Sequence, residues 1–263
     1  MLQWPPALAA RVDKVTLADP LFISDLHLSA AHPRTLARFE RFVAEEARQH
    51  AELVILGDLF EYWVGDDATD DAVGNRVADA LARLSAAGVK LYLMHGNRDL
   101  LLGGRFAKRV GGTLLADPAL ARIGGRTVTL THGDLYCTLD VDYQRFRRRA
   151  RNPLFQLLFL SRSLARRRAY IGEARAVSEA SKKQKNVEIM DVTPAAIDDA
   201  LRTARVTRMI HGHTHRPATH RFTLDGAAAE RWVLPDWDFD AAKVRGGYLQ
   251  VGEGDWRQVD LAA

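Results

Sequence analysis

The sequence predicts an α/β fold on three observations. Short, almost unbroken apolar runs alternate with longer segments of helical period. Nearly every apolar run ends in glycine and polar residues. The runs are apolar throughout rather than at every second position, which marks a sheet covered on both faces.

The elements follow in order. Leu21-Phe22-Ile23 reads as a strand ending at Ser24-Asp25, and residues 34–49 carry a helical pattern. Leu53-Val54-Ile55-Leu56 is a second strand running into Gly57-Asp58. A helix over Ala72–Ala87 closes on Gly88, placed where a left-handed backbone residue ends a helix. Leu91-Tyr92-Leu93-Met94 runs into His95-Gly96-Asn97, and Val128-Thr129-Leu130 into Thr131-His132-Gly133. Thr193-Pro194 suits an N-cap with proline at N1 and opens a helix to about Ala204, followed by a strand over 206–210. Beyond Pro217 the pattern is short strands with glycine-rich turns.

The 263 residues, 47% of them hydrophobic, suffice for a core that folds without staples. The single cysteine, Cys137, excludes a disulfide framework and cysteine-rich zinc modules, is expected to be structural, and suits a reducing cytoplasm. Neither secretion nor membrane insertion is expected. The first residues lack a charged-then-apolar leader, and no run approaches the ~18 apolar residues of a spanning helix. The net charge of +4 is an average over unlike parts. Residues 143–185 hold 13 basic and 2 acidic residues, and the rest of the chain 24 basic and 31 acidic. A cationic insert therefore interrupts an acidic body.

The chemistry is expected at the strand ends. Asp25 and His27 are two apart, so an extended backbone would point both to one side. Asp58, Asn97 and His132 close three further strands, and His213 and His215 follow a fifth. Ligands of open α/β sheets collect outside the carboxyl ends of the strands, so these seven groups should converge. Carboxylate, imidazole and amide without thiolate suit divalent manganese, iron or zinc. Asp58 could bridge two ions about 3.5–4 Å apart, a pair that generates hydroxide near neutral pH and clamps an in-line displacement at phosphorus. Gly57, Gly96, Gly133 and Gly212 would leave room for tight turns and for phosphate. His32, His50 and His220 are expected at the surface or in caps, with His95 behind the ligands and His211 beside them.

Together, Asp25-Leu26-His27, Gly57-Asp58, Gly96-Asn97-Arg98-Asp99, Thr131-His132-Gly133-Asp134 and Gly212-His213-Thr214-His215 resemble the signature of calcineurin-type metallophosphoesterases. The resemblance implies an αββα double-sheet sandwich with a dinuclear centre. Asp25, His27, Asp58 and His215 would hold one ion, and Asp58, Asn97, His132 and His213 the other. Asp58, Asn97, Arg98 and His132 would be the catalytic set, with Asp99 and Asp134 orienting ligands. Asp66 and Asp67 would do likewise or shape a loop.

The family's commoner third motif carries His where this chain has Arg98. Arginine cannot act as a general acid but grips phosphate with a planar fork, which suits a leaving group that needs no proton, such as a phosphate. Arg98, the run 57–67, Cys137–Asp140 with Tyr143–Arg147, and Ile189–Val192 are similar to one branch, the UDP-2,3-diacylglucosamine pyrophosphatases of lipid A biosynthesis. That resemblance implies two divalent ions with manganese expected, a lipid substrate, and attack at the uridylyl phosphorus. Asn97, Arg98, Asp140, Tyr143, Ser178, Lys185 and His213 would bind substrate. Lys182 departs from the branch, which often carries Asn there, and a cation there could bind phosphate or amide.

The domain division expected is a core of residues 1–139 and 190–263 with a helical lid over 140–189. Asn152-Pro153 would cap a helix whose first half, Leu154–Leu160, is apolar nearly all round and flanked by arginines. That composition suits an acyl-chain pocket or an anchor on the anionic cytoplasmic face of the inner membrane. Nucleic acid is not expected as a partner, because no aromatic residues interleave the arginines as stacking platforms. A monomer is expected.

Overall fold

The computed structural model describes residues 13–184, 191–252 and 254–262, with the side chains of 175–184 outside the description. Two six-stranded sheets form its centre. The first runs in the order β12 (Trp256–Asp260), β11 (Gly247–Val251), β2 (Pro20–Ile23), β3 (Glu52–Leu56), β4 (Lys90–Met94), β5 (Gly112–Leu115). The second runs β1 (Lys14–Leu17), β6 (Ala119–Ile123), β7 (Arg126–Leu130), β8 (Arg208–His211), β10 (Ala227–Val233), β9 (Ala218–Leu224). β2, β3, β4 and β5 are parallel, as are β7, β8 and β10, so their carboxyl ends fall together.

The burial pattern explains the apolar runs. In β2, Leu21 and Ile23 join the core formed with helices α1 (Pro33–Glu45), α2 (Ala72–Ala86) and α3 (Gly104–Arg109), while Phe22 joins the core between the sheets. Leu36, Phe39, Phe42 and Val43 recur at helical spacing along the buried stripe of α1. On the outer face of the second sheet, Ile197, Ala200 and Leu201 of α7 (Pro194–Ala204) pack on Met209, Leu224 and Ala229. The layers are helix, sheet, sheet, helix.

Several elements differ in detail from expectation. The helix over 34–49 ends at Glu45, and a separate 3-10 turn covers Ala47–Gln49. Thr193 precedes Pro194 as expected but does not cap α7; its hydroxyl meets that of Thr138 at 2.6 Å. Asn152 does cap its helix, its Oδ1 accepting from the N–H groups of Leu154 and Phe155. Strands β1, β5 and β6 and helix α3 carry four to six residues each and were not read from sequence. Between β7 and α7 the chain makes α4 (Val141–Ala150), α5 (Pro153–Leu160) and α6 (Leu164–Gln184).

Candidate metal centre

The seven expected ligands meet at the carboxyl ends of the parallel strands. Extended backbone is not what aims them. Asp25, His27, Asp58, His213 and His215 all lie at positive φ, between 49° and 69°. Each such non-glycine residue costs on the order of 1–3 kcal/mol, and strain of this kind collects where function over-determines the backbone. The i, i+2 pairs thus face the site through a conformation other than the expected extended one.

Asp25 is fully buried. Its Oδ2 accepts from the Ser24 hydroxyl at 2.7 Å and the His213 N–H at 2.8 Å, while Oδ1 has no hydrogen-bond partner. Asp58 is divided in the same way. Its Oδ1 accepts from the Arg98 N–H at 2.8 Å, leaving Oδ2 at 3.8 Å from His27 Nε2 and 3.7 Å from His132 Nε2.

The imidazoles turn one ring nitrogen each inward. Nδ1 of His27 sits 3.0 Å from Glu61 Oε2, and Nδ1 of His215 sits 3.4 Å from Asp236 Oδ2. With Nδ1 turned to those carboxylates, the two Nε2 atoms lie 3.3 Å apart. His132 likewise donates from Nδ1 to the Leu56 carbonyl at 2.9 Å, turning Nε2 toward Asn97 Oδ1 at 3.1 Å. His213 Nδ1 approaches the same Asn97 oxygen at 3.0 Å. Ring nitrogens crowded against one another and against Asn97 Oδ1, beside a buried carboxylate oxygen without a hydrogen-bond partner, make an arrangement that cations would satisfy. Among the described residues, two overlapping groups have the reach to hold an ion, Asp25 with His27 and His215, and Asp25 with Asp58 and His132. Burial opposes charge on His132, but Asp58, Asp25 and Asp134 outweigh it and raise its pKa to about 9. Burial and the nearby His132 lower that of His213 to about 4.

Close approach explains two of the glycines. A Cβ on Gly96 would lie 2.0 Å from Asp58 Oδ1, and one on Gly212 would lie 2.2 Å from Asp25 Oδ2. The space they leave is filled by carboxylates of the site itself. Asp99 ties two ligand loops together, accepting from the Leu59 and Gly96 N–H groups at 2.8 Å each. His95 bonds the Leu102 carbonyl at 2.6 Å. His211 is buried behind the ligands, bonded to the Gly212 carbonyl and to Arg231.

Some expected roles are reassigned by these contacts. Asp66 caps α3, accepting from the N–H groups of Gly103, Arg105 and Phe106, and lies away from the ligands. Asp67 pairs with Arg167. Asp134 accepts from the Tyr143 hydroxyl at 2.6 Å and Arg147 Nε at 2.9 Å, so it anchors the inserted helix α4 instead of bonding a ligand. The insert's arginines are divided too. Arg147, Arg151, Arg167 and Arg168 meet Asp117, Asp134, Asp67 and Asp70 of the body, while Arg145, Arg148, Arg149, Arg162 and Arg166 are exposed.

Of the expected substrate residues, Arg98 lies at the site with Nη1 3.6 Å from Glu61 Oε1. Tyr143 stacks on His213, ring centroids 6.0 Å apart. Asp140 caps α4, accepting from the Tyr143 N–H at 3.1 Å. The side chains of Ser178 and Lys182, and all of Lys185, lie outside the described residues. Glu61 and Asp236 went unread. Asp236 follows β10, so the strand-end rule that found the ligands would have found it had that strand been delimited.

A model of the calcineurin-like phosphoesterase family matches residues 20–217. Among curated proteins, the chain is 53% identical over 217 residues to a UDP-2,3-diacylglucosamine hydrolase of Aeromonas hydrophila, covering 82% of this chain and 90% of the relative. It is 45% identical to the protein of that name from Ralstonia nicotianae, covering 95% of both. The Bordetella pertussis protein of that name is 43% identical, with 95% and 98% covered.

Proposed function

Since the chain belongs to the calcineurin-like phosphoesterase family, and within it to the UDP-2,3-diacylglucosamine hydrolases, we propose that it cleaves the pyrophosphate bond of UDP-2,3-diacylglucosamine. The products are UMP and 2,3-diacylglucosamine 1-phosphate, a step of lipid A biosynthesis. The observation that carries this reading is the placement of Asp58 Oδ2 almost equidistant from His27 and His132, where one oxygen could serve both ions.

Asp25, His27, Asp58 and His215 would hold one divalent ion, and Asp58, Asn97, His132 and His213 the other, with manganese the proposed metal. Such a pair supplies Lewis acidity and a water acidified to near neutral pKa. Glu61 and Asp236 fix the tautomers of His27 and His215, and Asp99 holds the Asp58 and Asn97 loops in register. Arg98 offers its guanidinium fork to the phosphate oxygens as charge builds there. Water, giving up a proton to solvent, bonds through its oxygen to the uridylyl phosphorus as the bond from that phosphorus to the bridging oxygen breaks. The departing sugar phosphate takes the electron pair as a phosphate oxygen, so no side chain need protonate it. Asp140, Tyr143, Ser178, Lys182 and Lys185 are proposed to bind the substrate's polar groups.

Helix α5 supports a lipid role. Leu154, Leu157 and Leu158 occupy i, i+3 and i+4 and are 59–66% exposed, an apolar stripe open to solvent. That stripe, flanked by the exposed arginines, would take acyl chains and seat the protein on the anionic cytoplasmic face of the inner membrane, acting as a monomer. Among the described residues no helix is long and apolar enough to cross a membrane.

Turnover of UDP-2,3-diacylglucosamine compared with bis-p-nitrophenyl phosphate and with the deacylated sugar nucleotide tests the reading. Strong preference for the diacylated substrate is expected. Indifference to the acyl chains would overturn it in favour of another phosphoesterase activity on the same fold.

A further inference from the structure

We infer that Arg147 and Arg151 of the inserted helix α4 are positioning residues for one of the two metal sites, the one built from Asn97, His132 and His213. The inference rests on the dinuclear reading above. Arg147 donates from Nε to Asp134 Oδ2 at 2.9 Å and from Nη2 to Asp117 Oδ2 at 3.2 Å. The other oxygen of Asp117 accepts from the Thr131 hydroxyl at 2.7 Å and from the His132 N–H at 3.2 Å. A guanidinium on the insert thereby fixes the carboxylate that fixes the backbone of a ligand.

Arg151 reaches a second ligand loop. Its Nη2 lies 3.2 Å from the Gly96 carbonyl and 3.4 Å from the His95 carbonyl, immediately before Asn97. Asp99 holds the Gly96 N–H at 2.8 Å, so both neighbouring peptides of that turn are gripped. Tyr143 of the same helix stacks on His213, the third ligand of the set.

The asymmetry is what makes the inference specific. Asp25, His27 and His215 are held by Ser24, Glu61 and Asp236, none of which belongs to the insert. The side chains of Asp117 and Asp134 are buried and meet these two arginines as ion-pair partners. The insert is therefore a structural part of one half of the centre as well as its cover.

Calorimetric titration of the chelator-stripped full chain with Mn2+ tests this on wild type, Arg147→Met, Arg151→Met and the charge-keeping Arg151→Lys. Wild type should take two ions per chain; binding of none would refute the dinuclear reading itself. Each methionine variant should keep one site at wild-type affinity and weaken the other about 10- to 100-fold, the usual cost of removing an outer partner. Arg151→Lys keeps the charge near Asp117 and Asp134 but loses the fork, so it should fall between. Arg168→Met, which breaks only the exposed pair with Asp70, should leave both sites unchanged. Two wild-type affinities in the Arg147 and Arg151 variants, or equal weakening of both sites, would overturn the inference. If a methionine variant does not fold, Arg151→Lys decides alone by the same criterion.

Discussion

Arg167 is the largest fully buried side chain described, and its replacement by methionine separates packing from charge. The methionine keeps an apolar stem in the same space and deletes the guanidinium. Lost are the bond from Nη1 to the Val64 carbonyl at 2.6 Å, the bonds to both oxygens of Asp67, and the bond from Nε to the Arg162 carbonyl at 3.1 Å. Hydrogen bonds to charged groups contribute about 1.5–3 kcal/mol, and breaking a fully buried ion pair costs about 3–5 kcal/mol. The side chain of Asp67 is 47% exposed and rehydrates when released, so the lower range applies. The expected loss is about 2–3 kcal/mol, felt where α6 docks on the body. Hydrogen exchange of the α6 amides in residues 164–174 should accelerate roughly 30- to 140-fold by that arithmetic. The urea midpoint should fall as well if α6 and the body unfold together. An acceleration below about threefold would refute the reasoning, since it would mean that the buried guanidinium contributes little net docking energy.

Three further outcomes follow from the same contacts. Asp67 is held below the usual carboxylate range, chiefly by its hydrogen bond to Arg167, so its contribution to docking is complete above the unfolded carboxyl pKa and lost as pH falls through the folded value. Exchange of α6 should therefore rise in wild type below about pH 4, and the Arg167→Met protein should show a weaker dependence in that window. Gly96→Ala places a Cβ 2.0 Å from Asp58 Oδ1 and 2.4 Å from its N–H, so metal affinity by competition with a chelator should drop on the order of 10- to 100-fold. Leu157→Glu on the exposed stripe of α5 should reduce sedimentation with phosphatidylglycerol vesicles while leaving the thermal midpoint of the free protein within a degree or two, the usual range of surface changes.

The parts legible in sequence share a physical origin. Strands β2, β3 and β4 sit between packed layers, so nearly every residue is apolar and the run stands out, while β7 shows only its buried Val128-Thr129-Leu130 end. Five of the seven ligand candidates could be read because they fall just after these strands, and His213 and His215 because they follow β8. Strand β1 lies at a sheet edge with two exposed residues in four, and β5 also closes an edge with only one residue fully buried, so neither shows a contrast against loop sequence. Glu61 acts through tertiary placement, and nothing in its own neighbourhood marks it as the partner of an imidazole, while Asp236 follows a strand whose bounds the sequence left open. Charge counting identified the insert but not its inner division. Arg147 and Arg151 face the buried side chain of Asp117 and Arg167 faces Asp67, 30 to 100 residues away, and no local pattern distinguishes them from Arg148 or Arg166, which face solvent. The strained ligand backbones lay beyond periodicity as well, since Asp25 and His27 take left-handed conformations where their spacing alone suggested extended chain.

Release of UMP from UDP-2,3-diacylglucosamine, followed while chelator-stripped protein is titrated with Mn2+, tests whether two ions held through Asp58 are required to split the pyrophosphate. A dinuclear centre predicts no turnover before metal is added and a rise that levels at two equivalents per chain. Turnover that persists in excess chelator, or that levels at one equivalent, would contradict it.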